Sequence, residues 1–210
     1  MIGMDIGTHS IKIVEGSLHG RVPTISKIAS FPLPFDLYLE GKIRDEDSFI
    51  NVLKDIKKKF HLGTKKISAS MSSKGSIVRK LSLPYTHPSE LTESLPFEIE
   101  HYLPFELSEA NIDYQVLKSN PKTNRTDIIF AGVAKSIVNQ IKHCFEEAEL
   151  NLKILELGVL SSSNFAESFL RTNKQTIGLL DCGASWTHFT VMDEDIPIYS
   201  RDLQIGGVYL

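Results

Sequence analysis

Cysteines, charges in excess of one sign and long apolar runs are all scarce in this chain of 210 residues. The two cysteines, Cys144 and Cys182, are too few for a disulfide-stapled secreted fold and indicate a reducing compartment. We expect both to be buried as small hydrophobic residues. No basic signal-peptide region begins the chain, and no window approaches the roughly 18 apolar residues that a membrane span needs. The sequence therefore predicts a cytoplasmic protein.

Neither sign of charge dominates, because 23 Lys and Arg residues face 26 Asp and Glu residues, for a net charge of −3. A nucleic-acid partner is not expected, since such binding usually needs a clearly basic face. The seven histidines form no i, i+4 pair and have no cysteine at ligand spacing, which argues against a zinc site. The P-loop and Rossmann glycine motifs are missing too. The chain is therefore expected to be globular, and its function has to be inferred from other motifs.

Alternating and helical patterns succeed one another along the chain and predict a mixed α/β fold. The predicted helices cover residues 45–60, 89–103, 135–150 and 160–171. The predicted strands cover residues 2–6, 11–15, 22–31, 67–71, 77–83, 112–118, 127–134, 152–157, 176–182, 187–193 and 197–203. Between residues 77 and 134 the predicted order is strand, helix, strand, strand.

An Asp-x-Gly turn follows a predicted strand twice, at residues 5–7 and again at residues 181–183. Glycine lets backbone N–H groups approach an anion, and a carboxylate can hold a cation through its water shell. A single Asp-x-Gly is usually an ordinary turn, so the candidate depends on the repetition. Two such hairpins facing each other would hold a polyphosphate and its Mg²⁺, and Lys12 could reach a phosphate as a point charge.

Five short stretches together resemble the PilM family of actin-like ATPases in type IV pilus assembly, and less closely the FtsA division proteins. The stretches are residues 3–12, 98–105, 113–117, 180–184 and 200–207. Tyr-Leu-Pro-Phe at 102–105 is the most specific, since actin and sugar kinases lack it. The resemblance implies an actin-like ATPase (ribonuclease H-like) lobe with an inserted strand-helix-strand-strand subdomain and a truncated second lobe.

The resemblance also implies a division of the chain. Residues 1–76 and 151–175 would form subdomain 1A, residues 77–150 the inserted subdomain 1C, and residues 176–210 the start of subdomain 2A. The family continues past Gly206 and Gly207 into a helix and a glycine-rich adenosine loop. We therefore expect weak or absent ATP binding by this chain alone.

ATP and Mg²⁺ are the cofactors that the resemblance implies for the complete protein, with Asp5 and Asp181 nearest the hydrated Mg²⁺. The family often has a polar residue to position attacking water where this chain has Gly158. We therefore expect at most weak ATPase activity, with Asp181 as a catalytic candidate. The implied phosphate-loop residues are Asp5, Gly7, Thr8 and Lys12 in the first loop and Asp181, Gly183, Ala184 and Thr187 in the second.

In the family, a groove beside the inserted subdomain receives the N-terminal cytoplasmic peptide of the inner-membrane protein PilN. Such a partner would place this protein at the inner membrane, as a peripheral cytoplasmic scaffold, and self-association stays open. Four aromatic residues lie beside the predicted sheet edge: Phe97, Tyr102, Phe105 and Tyr114. Most such residues belong to a hydrophobic core. They can also line a groove for an extended peptide, and these four are the candidates for that role.

Three alternatives stay open. A related type II secretion protein and an FtsA-like division scaffold share the fold, and the latter would tether by a C-terminal amphipathic helix. A sugar or acetate kinase of the same superfamily would need an acidic base and a sugar pocket where this chain has the insertion.

Overall fold

The structure, a computed structural model, describes residues 1–19, 22–72, 75–85, 87–170 and 175–209. The first part of the chain forms β1 (Ile2–Ile6), β2 (Ser10–His19), β3 (Val22–Pro32), β4 (Tyr38–Leu39), β5 (Lys42–Ile43), α1 (Glu46–Phe60) and β6 (Lys66–Met71). The middle part forms β7 (Ile77–Leu83), α2 (Pro88–Ile99), β8 (Ala110–Asn120), β9 (Arg125–Ala134) and α3 (Lys135–Glu147). The last part forms β10 (Asn151–Leu157), α4 (Gly158–Phe169), β11 (Ile177–Cys182), β12 (Thr187–Asp193) and β13 (Ile196–Leu203).

The largest sheet has five strands in the order β10-β6-β1-β2-β3. Strands β10, β6 and β1 are parallel, while β1, β2 and β3 form an antiparallel meander. Alternation in β1 buries Ile2, Met4 and Ile6 on one face, where they share a core with α1 and α3. Helix α1 begins after Asp45, whose carboxylate accepts a hydrogen bond from the Ser48 N–H at 3.1 Å, a standard N-cap.

A smaller antiparallel sheet, β7-β9-β8, packs against α2 around a separate core. Phe130 and Ile128 of β9 meet Leu91 and Leu95 of α2 in this core. The predicted order of strand, helix, strand, strand is confirmed. Helix α3 packs with the first core, although the predicted interval 77–150 includes it. The division of the chain into subdomains stays a prediction.

The third sheet is an antiparallel meander, β11-β12-β13. Helix α4 lies between the sheets and contacts β6 and β10 on one side and β12 and β13 on the other. Strand β13 also runs beside β7, so the second and third sheets adjoin. The predicted end of α4 at Arg171 lies outside the described residues.

One expectation was wrong, and one element of the fold was not predicted. Cys144 is buried in the first core, but Cys182 is exposed at the end of β11, because the last residues of that strand are uncovered. The short hairpin β4–β5 was not predicted. Its Tyr38 is buried and donates a hydrogen bond to the Ser72 carbonyl at 3.0 Å. Among the described residues, no helix is both long and apolar enough to cross a membrane.

Candidate functional site

The first Asp-x-Gly turn joins β1 to β2. The Gly7 N–H donates to the Ser10 carbonyl at 3.2 Å, and a Cβ at Gly7 would lie 3.0 Å from that oxygen. Asp5 and Lys12 are cross-strand partners, and the Lys12 Nζ lies 3.0 Å from the Asp5 Oδ2. The Ser70 hydroxyl donates to the Asp5 Oδ1 at 2.9 Å. The first turn therefore holds a carboxylate and an ammonium group at its mouth.

The second Asp-x-Gly turn joins β11 to β12 with the same geometry. The Gly183 N–H donates to the Trp186 carbonyl at 2.9 Å, and a Cβ at Gly183 would lie 2.8 Å from that oxygen. In both turns the glycine N–H is used inside the turn. The close backbone contact accounts for glycine at both positions, and the expectation that these glycines let backbone N–H groups approach an anion stays a prediction.

The two turns meet tip to tip, because the Thr8 hydroxyl donates to the Ser185 hydroxyl at 3.1 Å. A cleft of about 250 Å³ lies between them. Seven of the eight predicted phosphate-loop residues line this cleft: Asp5, Gly7, Thr8, Lys12, Asp181, Gly183 and Ala184.

Thr187, the eighth predicted phosphate-loop residue, points away from the cleft. Its side chain is buried, and its hydroxyl donates to the Ile205 carbonyl at 2.7 Å, which ties down the segment after β13. A phosphate contact for Thr187 stays a prediction.

His188 lines the cleft as well, and the sequence interpretation missed it. The Asp202 carboxylate lies 2.7 Å from its Nδ1 and raises the pKa of the imidazole above 6.5, with further help from the charges of Asp181 and Asp5. A signal was available in the repeat itself. Asp5 pairs across its hairpin with Lys12, and Asp181 pairs across its hairpin with His188. The doubled motif thus places one carboxylate and one basic side chain on each hairpin.

The charges of this cleft fit a hydrated Mg²⁺ and a polyphosphate. Among the described residues, no three His, Cys, Asp or Glu side chains are close enough to chelate a metal directly. Mg²⁺ usually keeps several waters and uses one or two carboxylates plus substrate phosphates, which suits Asp5 and Asp181. Lys12 and His188 supply the positive charge that phosphate oxygens need.

The four candidate peptide-binding aromatics have different surroundings in the structure. Phe97 is 71% exposed on α2, and Phe105 is half-buried. Tyr102 packs against Phe130, with ring centroids 6.4 Å apart. Tyr114 bonds through its hydroxyl to Thr92 at 2.7 Å. A binding role for these four residues stays a prediction.

Tyr114 does line a second cleft, of about 410 Å³, between the β8–β9 sheet and α4. Within the described part of the chain, β8 pairs with β9 alone, so no strand pairs with its other edge. We call this cleft the β8–α4 groove. Its lining residues are Asp113, Tyr114, Gln115, Ile129, Phe130, Ala131, Glu156, Leu160 and Asn164.

Comparisons with known proteins agree with this architecture. The family model of the type IV pilus assembly protein PilM matches residues 3–210. The chain is similar to a PilM–PilN type IV pilus biogenesis complex, with a TM-score of 0.86 and 22% identity, over 99% of this chain and 62% of that chain. This chain thus spans about three fifths of the length of that PilM chain.

Two further solved structures share the fold. The cytoplasmic domain of EpsL, an inner-membrane component of the type II secretion system of Vibrio cholerae, has a TM-score of 0.62 and 11% identity, over 97% of this chain and 70% of that chain. A Bacteroides thetaiotaomicron protein with an actin-like ATPase fold has a TM-score of 0.53 and 10% identity, over 99% of this chain and 71% of that chain. The chain therefore belongs to the PilM family of type IV pilus assembly proteins and has the actin-like ATPase fold.

Proposed function

We propose that this protein is a cytoplasmic scaffold of type IV pilus assembly that captures the N-terminal peptide of a PilN-like inner-membrane partner. The cleft between the two hairpins is the proposed site for ATP with Mg²⁺. The observation that carries the scaffold role is the β8–α4 groove, beside the edge of β8 that pairs with no described strand. Support also comes from the similar structure that is described as a PilM–PilN complex.

An extended peptide suits the β8–α4 groove for two reasons. Strand addition to a sheet edge supplies main-chain hydrogen bonds, and alternate side chains then enter neighbouring pockets. Apolar Ile129, Ala131 and Leu160 line the groove beside polar Gln115 and Asn164. A partner that is anchored in the membrane would hold the scaffold at the membrane surface through this contact.

The peptide proposal is tested by titrating the partner's cytoplasmic N-terminal peptide, labelled with fluorescein, against the chain and following fluorescence anisotropy. Asn164 is exposed and lines the groove, so Asn164→Trp should fill the groove and abolish binding. Glu167→Trp places the same ring on an exposed position of α4 that is outside the groove and should leave binding intact. Absence of binding by the unaltered chain at high micromolar concentration would contradict the proposal.

The phosphate proposal is supported by two facing turns with one carboxylate and one basic side chain each. Inorganic tripolyphosphate with Mg²⁺ is a suitable probe, because it presents the phosphates without the adenosine. We expect it to shift the backbone amide NMR signals of residues 7–10 and 183–186. Asp5→Asn and Asp181→Asn should remove the Mg²⁺ dependence of these shifts. Asp36→Asn removes the same charge from a loop outside the cleft and serves as the control. Shifts that do not depend on Mg²⁺ in the unaltered chain would refute the metal-bridged binding.

A further inference from the structure

The β8–α4 groove is acidic. A second cavity, of about 240 Å³, shares Asp113, Ala131, Glu156 and Leu160 with the groove and extends it along β10. Among the residues that line the two cavities, the charged ones are Asp113 and Glu156, and both are carboxylates. The groove therefore differs from the cleft between the hairpins, where basic side chains accompany the acids.

Neutral groups hold the two carboxylates in place. The Ser161 hydroxyl donates to the Glu156 Oε2 at 2.7 Å, and the Asn164 side-chain amide donates to the Oε1 at 2.8 Å. The Asp113 Oδ1 accepts a hydrogen bond from the Tyr114 N–H at 2.9 Å. Within the described residues, neither carboxylate forms an ion pair with Lys, Arg or His. Both negative charges thus face the groove without an ion-pair partner in the part of the chain that the structure describes.

We infer that the groove selects a peptide with a Lys or Arg residue, whose cation binds between Asp113 and Glu156. This inference rests on the proposed peptide-binding function and names the chemistry of the ligand. A peptide that covers the groove removes water from both carboxylates, and a buried charge is costly unless it is paired. A neutral peptide would leave that cost uncompensated, whereas a basic side chain offsets it with charge-assisted hydrogen bonds.

Strand geometry places the basic residue within reach. Asp113 and Gln115 are two positions apart on β8 and share one face of the strand, opposite the face on which Ile112 and Tyr114 pack against the core of α2. A peptide strand that pairs with β8 presents its own side chain opposite Asp113 on that same face, at cross-strand contact distance. Cytoplasmic segments next to a membrane span carry an excess of Lys and Arg, which gives an inner-membrane partner the required charge.

The inference is tested with the same anisotropy titration and a set of peptides in which each Lys or Arg of the partner's N-terminal segment is replaced by Gln in turn. We expect one replacement to weaken binding at least tenfold. Asp113→Asn and Glu156→Gln in the protein should each lower the affinity for the unaltered peptide. In these variants, replacing the same Lys or Arg of the peptide by Gln should have little further effect on binding. Glu167→Gln removes one charge from α4 outside the groove and should change nothing. Asp113→Asn is the safer variant, because the Asp113 side chain is exposed and Glu156 holds two side chains of α4.

The possible results separate the two proposals. Tight binding that no Lys or Arg replacement weakens would overturn the charge selection and leave peptide capture in place. If Glu167→Gln lowers the affinity as much as Asp113→Asn does, the charge selection is also overturned, because the overall negative charge of the protein would then explain the effect. No binding of the unaltered peptide would remove peptide capture and this inference together.

Discussion

Gly183→Ala should disrupt the second hairpin turn through one contact. The new Cβ would lie 2.8 Å from the Trp186 carbonyl oxygen, closer than real Cβ atoms come to backbone. The turn must then open, which weakens the 2.9 Å hydrogen bond from the Gly183 N–H to that oxygen. The Gly183 carbonyl also accepts a hydrogen bond from the Gly207 N–H at 3.0 Å, so the disturbance reaches the segment after β13.

The magnitude follows from these contacts. Overpacking against a fixed backbone atom costs about 1–3 kcal/mol, and a weakened backbone hydrogen bond adds about 0.5–1.5 kcal/mol. The free energy of unfolding should fall by about 1.5–4.5 kcal/mol, which corresponds to a melting temperature lower by roughly 3–18 °C in a chain of this size. The loss comes from the contact alone, because Gly183 does not have a positive φ.

Gly178→Ala is the matched control on β11, the strand that leads into this turn. Its new Cβ would lie 3.1 Å from the edge of the Phe189 ring, a side chain that can move away. We expect less than about 1 kcal/mol of change there. Urea unfolding followed by circular dichroism measures both variants. Equal stability of Gly183→Ala and the unaltered chain would show that the turn is not held by the contact we describe.

Two further predictions concern the titration of side chains. Because Asp202 raises the folded-state pKa of His188 above 6.5, this pair stabilises the fold fully below pH 6.5, and the contribution is lost as the pH rises through the folded pKa. Asp202→Asn should remove that pH-dependent part of the unfolding free energy. An NMR titration of folded His188 that gives a pKa at or below 6.5 would contradict the role assigned to Asp202. In thiol labelling with an aromatic disulfide, exposed Cys182 should react at once. Cys144 should react only on unfolding, because burial raises its pKa to about 12. Cys182→Ser should abolish the fast phase, and a fast phase that survives it would refute the assignment.

Local patterns predicted most of the elements because their side-chain periods are strong. The buried positions of α1, Phe49, Leu53 and Ile56, recur at helical spacing, and an N-cap aspartate precedes them. The hairpin β4–β5 was missed, since two-residue strands carry no period that a sequence can show. Cys182 was misjudged because burial at a strand end depends on what covers the strand.

The sequence by itself determined the succession of the longer helices and strands, the repeated Asp-x-Gly turns and the family to which the chain belongs, because these depend on residue types at short spacing. Only the tertiary structure decided that the two turns meet through Thr8 and Ser185, and that His188 stands opposite Asp181 as Lys12 stands opposite Asp5. The acidic groove between β8 and α4 also needed the fold, since Asp113 and Glu156 lie on different elements far apart in the chain. Contacts of this kind arise from packing of sheets against one another, and no local pattern of side chains specifies them.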